Sequence, residues 1–190
     1  MSSLKIAFAL CGLAAVAGAQ TQSGQMAAAP AAPSGPALGQ AAPDFSASAT
    51  DSSGRQIPIS LASLKGNVVV LAFYPLDRSS GCTAEMDKFR DDYATIFGSG
   101  VVVLPVSVDS LGSHASWAKD SHFPFALISD PTSALATKYG SQGAGRPYFR
   151  RTVFVIGKGG KLVWSDMRFN PLAQQGYDSL AANIKRAKAE

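Results

Sequence analysis

Cysteine is nearly missing from this chain: 190 residues hold two, Cys11 and Cys82, beside two histidines. That scarcity excludes a disulfide framework and a Cys/His metal site of ordinary ligand spacing. His114 and His122 stand eight residues apart with no carboxylate cluster near them, so they read as surface or capping residues and no metal is expected. Charge is sparse too, at 16% of residues, and 17 basic against 13 acidic side chains leave a formal +4. Apart from a terminal KRAK the basic residues are scattered, which gives nucleic acid no footprint. Long apolar runs are absent as well. The stretch from Ile6 to Ala19 is rich in Ala and Gly and falls short of the roughly 20 residues a membrane span needs, so no stable membrane anchor is expected. What remains, 46% hydrophobic residues over a length suited to one ordinary domain, is globular.

The opening MSSLKIAFALCGLAAVAGAQ has one early cation, Lys5, an apolar core, and a small-x-small ending at Ala17-Gly18-Ala19. This is the pattern of a cleaved secretory signal over residues 1–19, which places the protein outside the cytoplasm, periplasmic or secreted. Cys11 lies inside the apolar run after bulky Leu10 and leaves with the signal rather than being acylated. Residues 20–38, Ala, Pro, Gly, Ser and Gln with no charge, cannot bury enough apolar surface to offset chain entropy and read as a flexible tether. The folded domain is expected over 39–190. An exported protein ordinarily pairs its cysteines, so a retained single thiol, Cys82, is either buried and inert or chemically used.

NVVVLAFYP (67–75) and GVVVLPVSVD (100–109) are continuous β-branched and aromatic runs, the pattern of strands buried on both faces of a parallel sheet. Pro105 inside the second run weakens the strand pattern locally or marks a bulge or an edge. Between them Cys82, Met86, Phe89, Tyr93, Ile96 and Phe97 recur at helical spacing over about four turns, closed by Gly98. Strand, helix, strand is a right-handed crossover. Downstream come helical patterns around Trp117 and from Thr132 to Tyr139, then RTVFVIGKGGKLVW, two strands joined by a glycine-rich turn, and a terminal helix from about Leu172. Upstream, a turn at Ser53-Gly54 leads to a short extended piece and a helical turn before Gly66. A crossover first and a hairpin later give an α/β, thioredoxin-like fold, a central mixed sheet flanked by helices.

In FYPLDRSSGCTAE the lone thiol stands where a strand gives way to a helix. A thiol is a nucleophile only as thiolate, and unpaired N–H groups at a helix entry favour an anion. Ser79, three residues earlier, either caps the helix or donates a hydrogen bond to the sulfur or to a bound oxygen. Pro75 gives up a backbone donor and fixes the turn. Carboxyl ends of parallel strands are also where open α/β sheets place ligands.

These residues resemble the peroxiredoxins. PLDRSSGC fits that family's Pro, three residues, Thr or Ser, two residues, Cys; Gly-Cys-Thr-x-Glu is similar to the bacterioferritin-comigratory or Q-type branch. The likeness extends to APDF, LASLKG, VSVD and RTVFVIGKGGKLVW. It implies that Cys82 attacks the terminal peroxide oxygen, that Ser79 hydrogen-bonds peroxide and thiolate, and that Pro75 shields the site from water. It implies that Arg151 supplies a fixed cation, with Glu85 either orienting it or merely meeting the helix dipole; Arg146 and Arg150 are neighbouring cations that read as surface residues. Many members of the branch carry a resolving cysteine five residues after the first, where this chain has Asp87. The implied enzyme is therefore a one-cysteine thiol-dependent peroxidase for hydrogen peroxide and small organic hydroperoxides. It needs no metal, flavin or haem. Its sulfenic acid is regenerated by an external thiol reductant, a thioredoxin-like protein or a low-molecular-weight thiol. A monomer or weak homodimer is expected. Two other readings stay open: a thioredoxin-like binding module in which Ser79 replaces the first cysteine of a CxxC, and a peroxide sensor that passes oxidation to a partner.

Overall fold

The computed structural model describes residues 35–190; the signal reading over 1–19, and the tether as far as residue 34, lie outside the described residues. Seven strands form one sheet among these residues: β1 (Ser46–Thr50), β2 (Gln56–Ser60), β3 (Val68–Phe73), β4 (Val101–Ser107), β5 (Leu127–Ser129), β6 (Thr152–Ile156) and β7 (Leu162–Asp166). Their spatial order is β2-β1-β5-β4-β3-β6-β7. The helices are α1 (Ser80–Asp91), α2 (Tyr93–Ile96), α3 (Leu111–Ser121), α4 (Ala134–Lys138) and α5 (Gln174–Ala189). β3 pairs in parallel with β4 and β4 with β5, while β3–β6 and β6–β7 are antiparallel, which is the mixed sheet the element order requires.

β3 is buried along its whole length because it has a core on each side. Val68, Val70 and Ala72 face one cluster with Met86, Phe89, Trp117 and Leu180; Val69, Leu71 and Phe73 face a second with Leu135, Tyr139 and Phe154. The two-residue period of a strand divides one hydrophobic run between two layers.

Pro105 marks neither a bulge nor an edge, since β4 lies between β3 and β5 and Pro105 stays in register opposite Ala72. The carbonyls of Gly100 and Val106 accept from β3, so odd-numbered peptide groups such as that of Pro105 turn toward β5. The ladder to β5 begins only at Val106, and the missing N–H therefore breaks no pair. The four-turn helix is divided: Asp92, at φ −101° and ψ 19°, separates α1 from α2, though Gly98 closes the segment with a φ of 63° as a C-terminal glycine does. The helix expected from Thr132 is shortened because Asp130 and left-handed Ser133 form a turn, with Asp130 accepting from the Ala136 N–H at 2.9 Å. β1 and β5, SASAT and LIS, have too little pattern to be read locally; each becomes a strand by pairing with neighbours.

Candidate active site

Tyr74 donates the last bond of the β3–β4 side, to the Val106 carbonyl at 3.0 Å, and Pro75 carries the chain out of the sheet. The loop that follows is held by Asp77. Its carboxylate accepts from Tyr74 Oη at 2.7 Å, from Ser113 Oγ at 2.6 Å and faces His114 Nδ1 at 3.0 Å, while its own N–H donates to Asp109 Oδ2 at 2.9 Å. Burial pushes the Asp77 carboxyl up, but the bonds from His114, Ser113 and Tyr74 outweigh it and hold it below its ordinary value. Arg78, with a φ of 58°, then folds the chain into α1 and ion-pairs with Asp120 at 2.6 Å.

His114 corrects the surface reading. Its ring is fully buried, one nitrogen on Asp77 and the other facing the Ile128 carbonyl at 3.2 Å. The spacing of His114, Trp117 and Ala118 along α3 was the available signal, because it is the stripe of a core-facing helix. His122 lies exposed at the C-terminal cap of α3 with a φ of 54°, the setting expected of a capping residue.

Cys82 is the third residue of α1 and has no exposed surface. Ser79 occupies the N-cap, and its carbonyl accepts from the Thr83 N–H at 2.8 Å, but the side chain makes no cap bond. Its hydroxyl donates to the Leu76 carbonyl at 3.1 Å, so capping by the side chain is not found, and the serine closes its own loop. Cys82 is the sole cysteine among the described residues; Asp87, at the position of a resolving thiol, ion-pairs with Arg90 at 2.8 Å.

The β6–β3 pairing sets Thr152 opposite Phe73, so Arg151 lies beside the end of β3 and over the start of α1. Its Nη2 donates to Cys82 Sγ at 3.3 Å and its Nη1 to Glu85 Oε2. Gly81 makes room for this approach, since a Cβ there would meet Nη2 at 3.3 Å. Glu85 is fully buried, and its Oε1 is the one buried side-chain oxygen without a partner among the described residues. Burial pushes the Glu85 carboxyl up to about 7 against the pull of Arg151. Burial also opposes charge on Arg151, yet Glu85 and the sulfur more than offset it and hold the guanidinium above its ordinary value. A buried sulfur therefore has a fixed cation on one side, and that cation is clamped by a carboxyl group. Pro75 and Arg151 together line a cavity of about 520 Å³, to which the buried thiol is linked through Arg151.

Sequence reasoning gathered Cys82, Ser79, Arg151, Glu85 and Pro75 at one place; the structure sets Arg151 on both Cys82 and Glu85 and on a cavity wall shared with Pro75, while the Ser79 hydroxyl turns to Leu76. It missed Gly81 as the clearance for Arg151 and the Asp77–His114–Ser113–Asp109 anchor beneath the loop. Asp77 and Asp109 stand inside PLDR and VSVD, but a contact across 32 residues leaves no local pattern.

The AhpC/TSA family model matches residues 38–165. Peroxiredoxin Bcp of Bacillus subtilis is 31% identical over 132 residues, covering 66% of this chain and 82% of that protein. Chloroplastic peroxiredoxin Q of Sedum lineare is 40% identical over 90 residues, 47% of each, so the chain spans about half the length of that plant relative. Among solved structures, peroxidoxin BcpB from Mycobacterium tuberculosis superposes with a TM-score of 0.67 at 27% identity, over 78% of this chain and 96% of that one. The shared thioredoxin-like architecture and the matched sequence agree, and the chain belongs to the AhpC/TSA family, in its Bcp and peroxiredoxin Q branch of thiol-dependent peroxidases.

Proposed function

We propose that Cys82 is the peroxidatic thiol and that the substrates are hydrogen peroxide and small organic hydroperoxides. The Cys82 thiolate attacks the terminal oxygen of the peroxide, the O–O bond breaks, the sulfur becomes a sulfenic acid, and water or an alcohol leaves after taking up a proton. A first external thiol then forms a mixed disulfide with Cys82 and releases water; a second displaces it, giving a free disulfide and the original thiol. The observation that carries this reading is the guanidinium of Arg151 at 3.3 Å from Sγ, since charge developing on the departing oxygen needs a positioned cation. Glu85 holds that cation, Pro75 screens the thiol from solvent, and Ser79 is assigned to the incoming peroxide after its hydroxyl leaves the Leu76 carbonyl. A redox module without peroxide turnover would need neither Arg151 on the sulfur nor Pro75 at the strand end.

The absence of a thiol at position 87 supports regeneration from outside the described domain. The apolar run after Lys5 supports export, which N-terminal sequencing of the mature protein checks. Peroxide consumption with dithiothreitol tests the reaction itself. The wild-type chain is expected to turn over catalytically and Cys82→Ser to be silent; equal rates would end the peroxidase reading.

A further inference from the structure

The cavity whose wall includes Arg151, the residue in contact with Cys82 Sγ, is far larger than hydrogen peroxide requires. Besides Pro75 and Arg151 it is lined by Arg146, Arg150 and Arg168, with Phe149 and Phe169 contributing an aromatic wall, and its ≈ 520 Å³ lies in the size range of a small-ligand site. The three further arginines are exposed, and none forms an ion pair among the described residues, whereas Arg55, Arg78, Arg90 and Arg151 each do. Arg146 is held by Tyr148, donating to its hydroxyl at 3.0 Å, with the guanidinium carbon 5.6 Å from the ring centroid. Arg150 donates to the Gly140 carbonyl. The carboxylate nearest Arg168 in sequence, Asp166, accepts from the Arg168 backbone N–H at 2.8 Å and pairs with no guanidinium among the described residues. Uncompensated arginines around a concave surface are suited to carboxylates, which they bind in paired, planar hydrogen bonds.

We propose that this cavity is the docking site of the reductant, and that the reductant is a small carboxylate-bearing thiol of the glutathione type. The inference rests on Cys82 being the peroxidatic thiol, as proposed above. Hydrogen peroxide has neither the volume nor the charge to use such a site. The second half of the cycle does need a bound outside molecule, because Asp87 stands where an internal thiol would be. Arg151 belongs to both the cavity wall and the thiol's own contacts, so a thiol held by Arg146 and Arg168 waits against the guanidinium that touches the oxidised sulfur. Its sulfur attacks the Cys82 sulfenic acid, the S–O bond breaks, and the hydroxyl leaves as water with the thiol's proton. A second molecule of the same thiol releases the first as a disulfide. Access for a sulfur atom requires the first turn of α1 to open, and no side-chain cap holds that turn.

The test uses the full chain, first oxidised with one equivalent of hydrogen peroxide and checked by mass spectrometry for the sulfenic acid. Loss of that species is then timed with glutathione, glutathione diethyl ester and cysteamine, each rate corrected for the ionised fraction of its thiol. Wild type is expected to favour glutathione over the diester by about tenfold, the size of one charge-assisted contact, and to lose that preference as salt is added. The double variant Arg146→Gln, Arg168→Gln is expected to treat the three thiols alike, while Arg55→Gln, at a distant ion pair, keeps the preference. A wild type indifferent to thiol charge, or a double variant that retains the preference, overturns the proposal. So does a charge effect confined to the oxidation step with a carboxylate-bearing hydroperoxide, which would give the arginines to the peroxide instead. Failure to form the sulfenic acid at all appears before any thiol is added and counts against the peroxidase reading itself.

Discussion

Arg151 Nη2 lies 3.3 Å from Cys82 Sγ across 69 residues of sequence, because β6 runs antiparallel to β3 and begins, just after Arg151, opposite that strand's carboxyl end. Removing that cation with Arg151→Ala is expected to slow oxidation of Cys82 by about 10²–10³-fold, the usual cost of losing one positioned electrostatic contact. Arg151→Lys should recover only part of the rate, since a single ammonium does not reproduce the fork that holds Glu85 and the sulfur together. The rate of sulfenic acid formation at pH 7 checks both; an unchanged rate in the alanine variant would remove Arg151 from the site.

Gly81 allows a sharper separation of chemistry from stability. Alanine is the better helix former by about 0.8–1 kcal/mol, so Gly81→Ala should unfold no earlier than wild type. Its new methyl group, however, would stand 3.3 Å from Arg151 Nη2 and push the guanidinium a few tenths of an ångström off the sulfur. Slower oxidation with an equal or higher melting temperature is the expected pair of results, and normal oxidation would show that Arg151 has slack.

Glu85 makes a pH signature. In the folded chain its carboxyl keeps a proton up to about 7, against an ordinary 4.5, because burial outweighs Arg151. Between those values the folded chain binds more protons than the unfolded one, so this group's contribution to stability falls as pH rises through that window and levels off above it. Asp77 works in the opposite sense, but below its own ordinary range, outside this window. Comparing guanidinium unfolding midpoints of wild type and Glu85→Gln at pH 5 and pH 8 isolates the effect. The glutamine variant should gain on wild type at pH 8 relative to pH 5, and an equal difference at both would mean that Glu85 titrates normally.

The anchor under the loop should be costly to break. Asp77→Ala strands Tyr74, Ser113 and His114 without their acceptor and is expected to destabilise by about 2–4 kcal/mol, roughly 5–15 °C in melting temperature for a domain of this size. Ser113→Ala removes a single bond to the same carboxylate and should cost about 1 kcal/mol. Calorimetry on the two variants decides; equal losses would mean that Asp77 matters only through Ser113.

The parts of the molecule that could be read in advance are those whose cause is local. β3, β4 and the β6–β7 hairpin announce themselves because burial on both faces demands unbroken apolar residues and a tight turn demands glycine. Cys82, Pro75 and Ser79 could be placed at a strand-to-helix switch for the same reason. What stayed hidden depends on contacts distant in sequence or on one torsion angle. SASAT is a strand only because β2 and β5 flank it, the Ser79 hydroxyl turns to Leu76 rather than to the helix, and His114 is drawn inward by a carboxylate 37 residues away. Pro105 misled because its tolerance depends on where a three-residue neighbour begins to pair.

The most direct measurement is mass spectrometry of the full chain after one equivalent of hydrogen peroxide in the presence of dimedone. A single adduct on Cys82 in the wild type, much reduced in Arg151→Ala and absent from Cys82→Ser, is the predicted result. An unmodified Cys82 while peroxide is nonetheless consumed, or Cys82→Ser consuming it as fast as wild type, would contradict the assignment of Cys82 as the peroxidatic thiol.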